Sequence, residues 1–597
     1  MPAQKQNQFG AAVGGPIIKD KIFIFGSYQG LTNHQEAESV QALVPTDAER
    51  NGDFSGLGET LVNPANPLTG APLTDASGNP CIAGNRIAPG CISPVAKNLL
   101  QYVPTSPAGS IVSLAPSPLN ENLGMLRADW NQSDKHHIFG HYFQSANDRS
   151  NPFANGGNIP GYIGEDFNVV TKQGTVNDTY TFSPTLINQA IFSVLNSTSS
   201  ELQNKTIDPS QLGINMPQYL PNGAISVNVA SGFTLGSGTP TQFLGTNYQI
   251  SDSLTWIKGR HSLKFGFESL FLNFRQLFIG APNFTFSGVQ TGDATADFLL
   301  GAFDSANIAF GQRDNNDYTT FNSFYAQDEF KVNPRLTLTY GLRYEPFLPW
   351  KDRKDRINTI APGVQSNVVP DAPPGILFPG DVPKGLAGAD LNNFAPRIGL
   401  AWDVFGDGKT SVRTGYGIYY ESINADSVAQ ENPPFAGSIG AFRGNIADPF
   451  GSTGQTAPPA SLSGHFGCVQ IPTYPFYNCP LFPLPAGGLF AERSLRSPYI
   501  QEFNFSIQRQ ITPSTMIEAA YAGKIGIKIE ALRPYNPARF INDPVTGEAP
   551  SAQNVNNRVI YEPGILSPQG YLLGNDFRSW YHSFQVQVTK RFSHDFS

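Results

Sequence analysis

The chain has 597 residues and a formal net charge of −8, and only 14% of its residues are charged, against about a quarter in ordinary soluble proteins. Its length permits several soluble domains, but the charged coat such domains carry is missing, and the acidic balance excludes the basic footprint of broad nucleic-acid binding. Mean hydropathy is −0.23 and no apolar run approaches the roughly 18 residues of a spanning helix, which excludes a helical membrane protein.

The first ten residues, MPAQKQNQFG, contain no apolar signal-peptide core and pass straight into strand-like sequence. The chain is therefore expected to be a piece whose true start lies upstream. Lys19-Asp20-Lys21 reads as a tight turn between two alternating stretches. Further short turns are expected at Asn131–Lys135, Ser183-Pro184-Thr185, Lys258–His261, Lys331–Arg335, Phe405–Lys409, Thr512–Ser514 and Ser593–Asp595. Between the hairpins lie irregular Pro-, Gly-, Asn- and Ser-rich segments, at about 31–122, 145–173, 201–246, 276–317, 347–393, 422–497 and 531–579. The first and the sixth far exceed ordinary connections. A short helical turn is expected around Pro94–Tyr102.

The stretches beside the turns alternate. Leu336, Leu338, Tyr340, Leu342 and Tyr344 hold one parity, and Thr337, Thr339, Gly341, Arg343 and Glu345 the other. A strand turns successive side chains to opposite faces, so one face is apolar and one polar. Ile398, Leu400, Trp402 and Val404 repeat the split against Arg397, Gly399 and Asp403, as do Phe503, Phe505 and Ile507 against Asn504, Ser506 and Gln508. The last alternating stretch, 581–592, is expected to lack a partner strand on one side. Hairpins joined alternately by very short turns and very long loops predict an all-β, antiparallel transmembrane β-barrel of about fifteen strands, with short periplasmic turns and long extracellular loops. Its surroundings would be outer-membrane lipid. Leu338, Leu342, Leu400 and Trp402 should then face lipid, and Thr339, Arg343, Arg397 and Asp403 the lumen.

Several groups of residues resemble one family. NQFGAAVGGPIIKDKIFIFGSYQG (7–30), VPTDAERNGDFSG (44–56) and NRIAPGCISPVAKNLLQYVP (85–104) are similar to the opening hairpin and first long loop of the Oar-like TonB-dependent receptors. FYAQDEFKVNPRLTLTYGLRYE (324–345), NNFAPRIGLAWDVFGDGKTSVRTGYGIYY (392–420) and YHSFQVQVTKRFS (581–593) look like hairpins of the same family. The resemblance runs over residues 1–597 as one incomplete barrel. It implies a barrel of about 22 strands, a plug inside it, an extracellular substrate of unknown identity and energy from a periplasmic TonB protein. The plug, the TonB-contact segment and several strands are not legible here, so an isolated, incompletely closed sheet with an empty lumen is expected.

The four cysteines, Cys81, Cys91, Cys468 and Cys479, allow three pairings. Each close pair falls in one extracellular loop, which favours Cys81–Cys91 and Cys468–Cys479 in an oxidising compartment. His136, His137 and His141 form the histidine cluster of the chain and read as wall or interface histidines. Asp314, Asn315, Asn316 and Asp317 offer clustered oxygens but not the spacing of a calcium loop, and read as a solvated loop tip. The alternating charges of Lys351–Arg356 mark a strand leaving the membrane for solvent. Tyr340, Tyr344, Trp350, Tyr416, Tyr419, Tyr420 and Trp580 fit an interfacial girdle. No catalytic motif or cofactor-binding loop is present, so the reading is a receptor or transporter, not an enzyme. A surface adhesin or a passive porin on the same barrel are the alternatives.

Overall fold

The computed structural model describes the chain from Lys5 to Arg591, except residues 154–156, 160–164, 204, 218–224, 237–240, 279, 311–312, 425–431, 456, 458–468, 471–476, 479–481, 483–485, 552–553, 562–565 and 569. Fifteen long strands form its wall: β1 (Lys5–Ile18), β2 (Ile22–Leu43), β3 (Ser110–Ser133), β4 (His136–Asn151), β5 (Glu165–Ser183), β6 (Leu186–Gln203), β7 (Thr241–Lys258), β8 (His261–Phe278), β9 (Arg313–Asn333), β10 (Leu336–Tyr344), β11 (Phe394–Asp403), β12 (Thr410–Tyr420), β13 (Tyr499–Thr512), β14 (Thr515–Pro534) and β15 (Tyr571–Lys590). Each pairs antiparallel with the next in chain order, and no pairing among the described residues joins β1 to β15. Two short strands, Lys351–Asp352 and Leu489–Ala491, add to the same sheet at its edge-on loops.

The tight turns share one local device. Ser133, Ser183, Asn333 and Thr512 each accept, through the side chain, the N–H two residues further on, at 3.3, 3.3, 2.8 and 3.3 Å. The strand register shifts by one at each of these positions. Ser, Thr and Asn fit here because their short polar side chains mimic a backbone turn. The one-residue bulge adds the twist the hairpin needs. At Lys258–His261 the two-residue turn instead uses Gly259 at φ +62°, a conformation that costs glycine little.

Alternation sorts the wall as expected. Leu342, Ile398 and Trp402 stand outward and exposed, with Leu338 and Leu400 on the same parity. Thr339, Arg343 and Arg397 take the opposite, inward parity. Asp403 departs from expectation. Its carboxylate accepts the N–H groups of Gly406 and Gly408, both at 3.0 Å, and so braces the turn rather than lining the lumen.

The long segments are not irregular. Strands run well beyond the alternating stretches, so the first loop shrinks from 31–122 to the residues between Leu43 and Ser110. Backbone pairing continues there beyond the stretches that alternate clearly in the sequence. Five short strands from three separate loops build a second sheet. Ser226–Val229 lies beside Thr234–Leu235 and parallel to Asn283–Phe286, which pairs with Ala302–Phe310, and that strand with Gly437–Asn445. Under it lies a core containing Phe54, Leu99, Phe233, Phe284, Phe298 and Phe303. The helix Pro94–Leu100 buries Val95, Ala96, Leu99 and Leu100 in that core.

Candidate functional site

At the extracellular end, the two sequence motifs of the first loop close on each other. Thr46 caps the short helix Asp47–Arg50, and Glu49 returns a hydrogen bond to the Thr46 N–H at 2.7 Å. This reciprocal capping places Arg50 to donate to the carbonyls of Leu100, Val103 and Pro104 at 2.8–3.2 Å. Asp53 pairs with Arg86 at 3.1 Å. A disulfide joins Cys81 to Cys91. Cys468 and Cys479 lie outside the described residues.

Much of the segment from Phe347 to Asp390 packs on the inward face of the wall, while Arg353 and Lys354 reach its outer side. Trp350, Ile357, Leu377, Val382 and Leu386 pack on Leu272, Phe274 and Phe321, which point inward from β8 and β9. The lumen is therefore not empty at its mouth. Trp350 is buried there, its Nε1–H donating to the Ile423 carbonyl at 2.8 Å. It belongs to no girdle, because the loop that carries it turns inward.

Charged residues lock this segment to β9. Asp352 accepts the N–H groups of Asn316 and Arg356, each at 3.0 Å, and Lys384 reaches Asp355 at 2.8 Å. Asp314 accepts from Arg275 and Lys354, both at 2.7 Å. Burial alone would raise its pKa, but these two cations hold it down at about 2. Residues 314–317 are thus part of strand β9, with Asn315 and Asp317 fully buried, and not a solvated tip. Asp352, Asp355 and Arg356 are likewise buried. The alternating charges satisfy one another across two chain segments that sequence alone does not bring together.

Below the mouth, the inward wall carries ion pairs backed by aromatic rings. Arg343 contacts Glu345 at 2.6 Å and Glu268 at 3.3 Å. Arg397 lies 4.3 Å over the ring of Tyr419, which therefore faces the lumen and not a girdle. Lys524 meets Glu502 at 2.6 Å. Arg127 bonds Asp129 and lies 4.1 Å over Phe139.

The outer face also holds polar contacts that sequence proximity missed. His136 pairs with Asp178 at 2.7 Å, a carboxylate from the neighbouring strand. His137, on the inward parity, bonds Asn131 at 2.9 Å. Asp328 joins His261 at 2.6 Å and Tyr340 at 2.7 Å. The alternation signal treats such outward polar groups as noise, and only the strand register reveals them. Tyr340, Tyr416 and Trp580 are outward and exposed, as a girdle requires. Tyr344 stacks on Phe394, and Tyr420 lies against Tyr499. Among the described residues, no group of three or more His, Cys, Asp or Glu could hold a metal ion.

An antiparallel wall with an apolar outer face, a polar inner face, short turns and a built assembly of long loops defines a membrane-spanning β-barrel domain. Residues 1–597 match the outer membrane beta barrel domain family, and the chain belongs to it. Its place is accordingly the outer membrane of a Gram-negative type of cell. No curated protein matches the chain. Among solved structures, it is similar to the outer membrane transporter YddB from Escherichia coli, with 11% identity, a TM-score of 0.47 and coverage of 98% of this chain and 52% of that one. It is also similar to the siderophore receptor PirA from Acinetobacter baumannii, with 10% identity, a TM-score of 0.43 and coverage of 98% and 58%. A third is the hemophore receptor HasR of Serratia marcescens, with 11% identity, a TM-score of 0.40 and coverage of 98% and 60%. The chain thus spans between half and three fifths of the length of these structures.

Proposed function

We propose that the chain is the wall and loop assembly of an Oar-like TonB-dependent receptor, which captures an extracellular substrate and takes it up with energy delivered by a periplasmic TonB protein. On this reading the 597 residues are barrel and loops, coupling to TonB is a property of the whole receptor, and the chain has no catalytic role. The observation that carries the reading is the mouth. The loops hold a buried core of their own, and the 347–390 segment packs a second apolar cluster onto the inward wall, which carries ion pairs and aromatic rings. A passive porin needs an open water path, which this covered mouth opposes. Surface adhesion is the second reading, favoured by Phe540, Ile541 and Val545, which stand exposed on the loop after β14. The test is a deletion strain compared with its parent and with a strain lacking TonB. A growth or uptake defect shared by the receptor and TonB deletions supports transport. A defect in cell attachment with normal uptake refutes transport and supports adhesion.

A further inference from the structure

On the outer surface of the wall, a recess of about 430 Å³ opens between β6, β7, β8 and β9. Phe192, Tyr248, Ile250 and Phe271 form its apolar sides, all on the outward parity. At its upper end Arg353 lies 4.7 Å over the ring of Tyr318 and donates to the side-chain oxygen of Asn273. Arg353 is exposed and, among the described residues, has no carboxylate partner. Arg275, two residues beyond Asn273 on the same face of β8, and Lys354, next to Arg353 in the chain, share Asp314 just above. Arg353, Arg275 and Lys354 thus gather on one side of the wall beside the outward Asp314.

Height decides what meets this recess. Phe271 is ten residues beyond His261 at the short-turn end of β8. At about 3.3 Å per residue and a tilt near 40°, that is roughly 25 Å up the wall, the top of an apolar band about 25 Å tall. The apolar sides therefore sit at the level of outer-leaflet chains and the cations at the level of headgroups. An unpaired guanidinium with two donors in a fixed fork suits a phosphate oxyanion better than a neutral headgroup.

We propose that this recess binds a phosphorylated lipid of the outer leaflet, with the phosphate on Arg353, aided by Arg275 and Lys354, and one acyl chain against Tyr248 and Phe271. The proposal rests on the membrane placement and is independent of transport or adhesion.

The full chain, reconstituted in nanodiscs of zwitterionic lipid, is titrated with fluorescent diacyl phosphatidic acid, with the matching diacylglycerol and with inorganic phosphate as competitor. Phosphatidic acid should bind about tenfold tighter than diacylglycerol, as one charge-assisted contact allows, and excess phosphate should not displace it. Arg353→Gln should abolish the preference while Arg353→Lys keeps most of it. Tyr248→Ala, which leaves every cation in place, should weaken both lipids alike. Heat-modifiable gel mobility checks that each variant is folded. Equal binding of the two lipids, a preference unchanged in folded Arg353→Gln, no effect of Tyr248→Ala, or displacement by phosphate alone would each overturn the proposal.

Discussion

Replacing Leu342 by Arg measures where the bilayer lies on the wall. Leu342 stands outward on β10, opposite Ala326 and Pro396, and is 46% exposed. It is six residues from Leu336, which adjoins the turn. That places it about 15 Å above the short-turn rim, near the middle of the apolar band. An arginine at the midplane costs about 2–4 kcal/mol, falling to about 0–1 near an interface. Leu338 has the same parity but lies only two residues from Leu336, at about 5 Å. Leu338→Arg should therefore cost less than about 1 kcal/mol, although sequence pattern alone treats the two leucines alike. Thr339→Arg points inward beside Glu329 and should be close to neutral. Urea-dependent folding of the three variants into lipid vesicles, read by heat-modifiable mobility, gives the comparison. The reasoning fails if Thr339→Arg is as damaging as Leu342→Arg, or if Leu338→Arg is the worst of the three.

The loops and turns give further tests. Cys81→Ser opens a short closed loop, and the chain-entropy estimate for a loop of that size is a loss of about 3 kcal/mol, visible as faster protease nicking between residues 44 and 109. Asp314 has its pKa lowered from 3.8 to about 2, so its stabilisation is complete above pH 3.8 and is lost as pH falls toward 2. Asp314→Asn should remove about 1 kcal/mol at neutral pH, the shift being discounted for solvent screening of a partly exposed group, and flatten that acid dependence, measured as pepsin access to the 347–390 segment across the window. Leu99→Ala, at a fully buried position, should destabilise the loop core by about 2–5 kcal/mol, read by hydrogen exchange of the Pro94–Leu100 amides. Tags at Lys258–His261 and Lys331–Arg335 should be silent on intact cells, and tags in the first loop should label. The reverse pattern would invert the topology.

The wall was legible in the sequence because a two-residue period has one physical cause, a sheet with lipid on one face and a polar interior on the other. Turn positions were legible because Ser183-Pro184-Thr185 and its equivalents need particular side chains. The loop assembly was not. Val227, Phe284, Phe303 and Ala441 belong to one core, yet they lie in segments separated by wall hairpins, and strands of two to nine residues give too short a pattern to read. Lys351–Arg356 misled for a related reason. Its alternating signs look solvated until β9 supplies the partners for Asp352 and Arg356. The outward Asp178 and Asp328 were hidden because their histidine partners sit on other strands.

The strand Gly437–Asn445, which completes the second sheet by pairing with Ala302–Phe310, has a bearing on the order of assembly. Every wall hairpin joins neighbours in the chain, so the wall can zip up with little loop-closure entropy at each step. The second sheet cannot. Its earliest strand begins at Ser226 and its last ends at Asn445, with several wall strands between. Those wall strands must be paired and their loops brought to one side before the edge of Ala302–Phe310 is covered. Until then that edge offers open backbone groups to any passing strand. A lesion in residues 437–445 should therefore leave a normal wall beneath an unfinished, association-prone cap, a defect of timing rather than of the barrel itself.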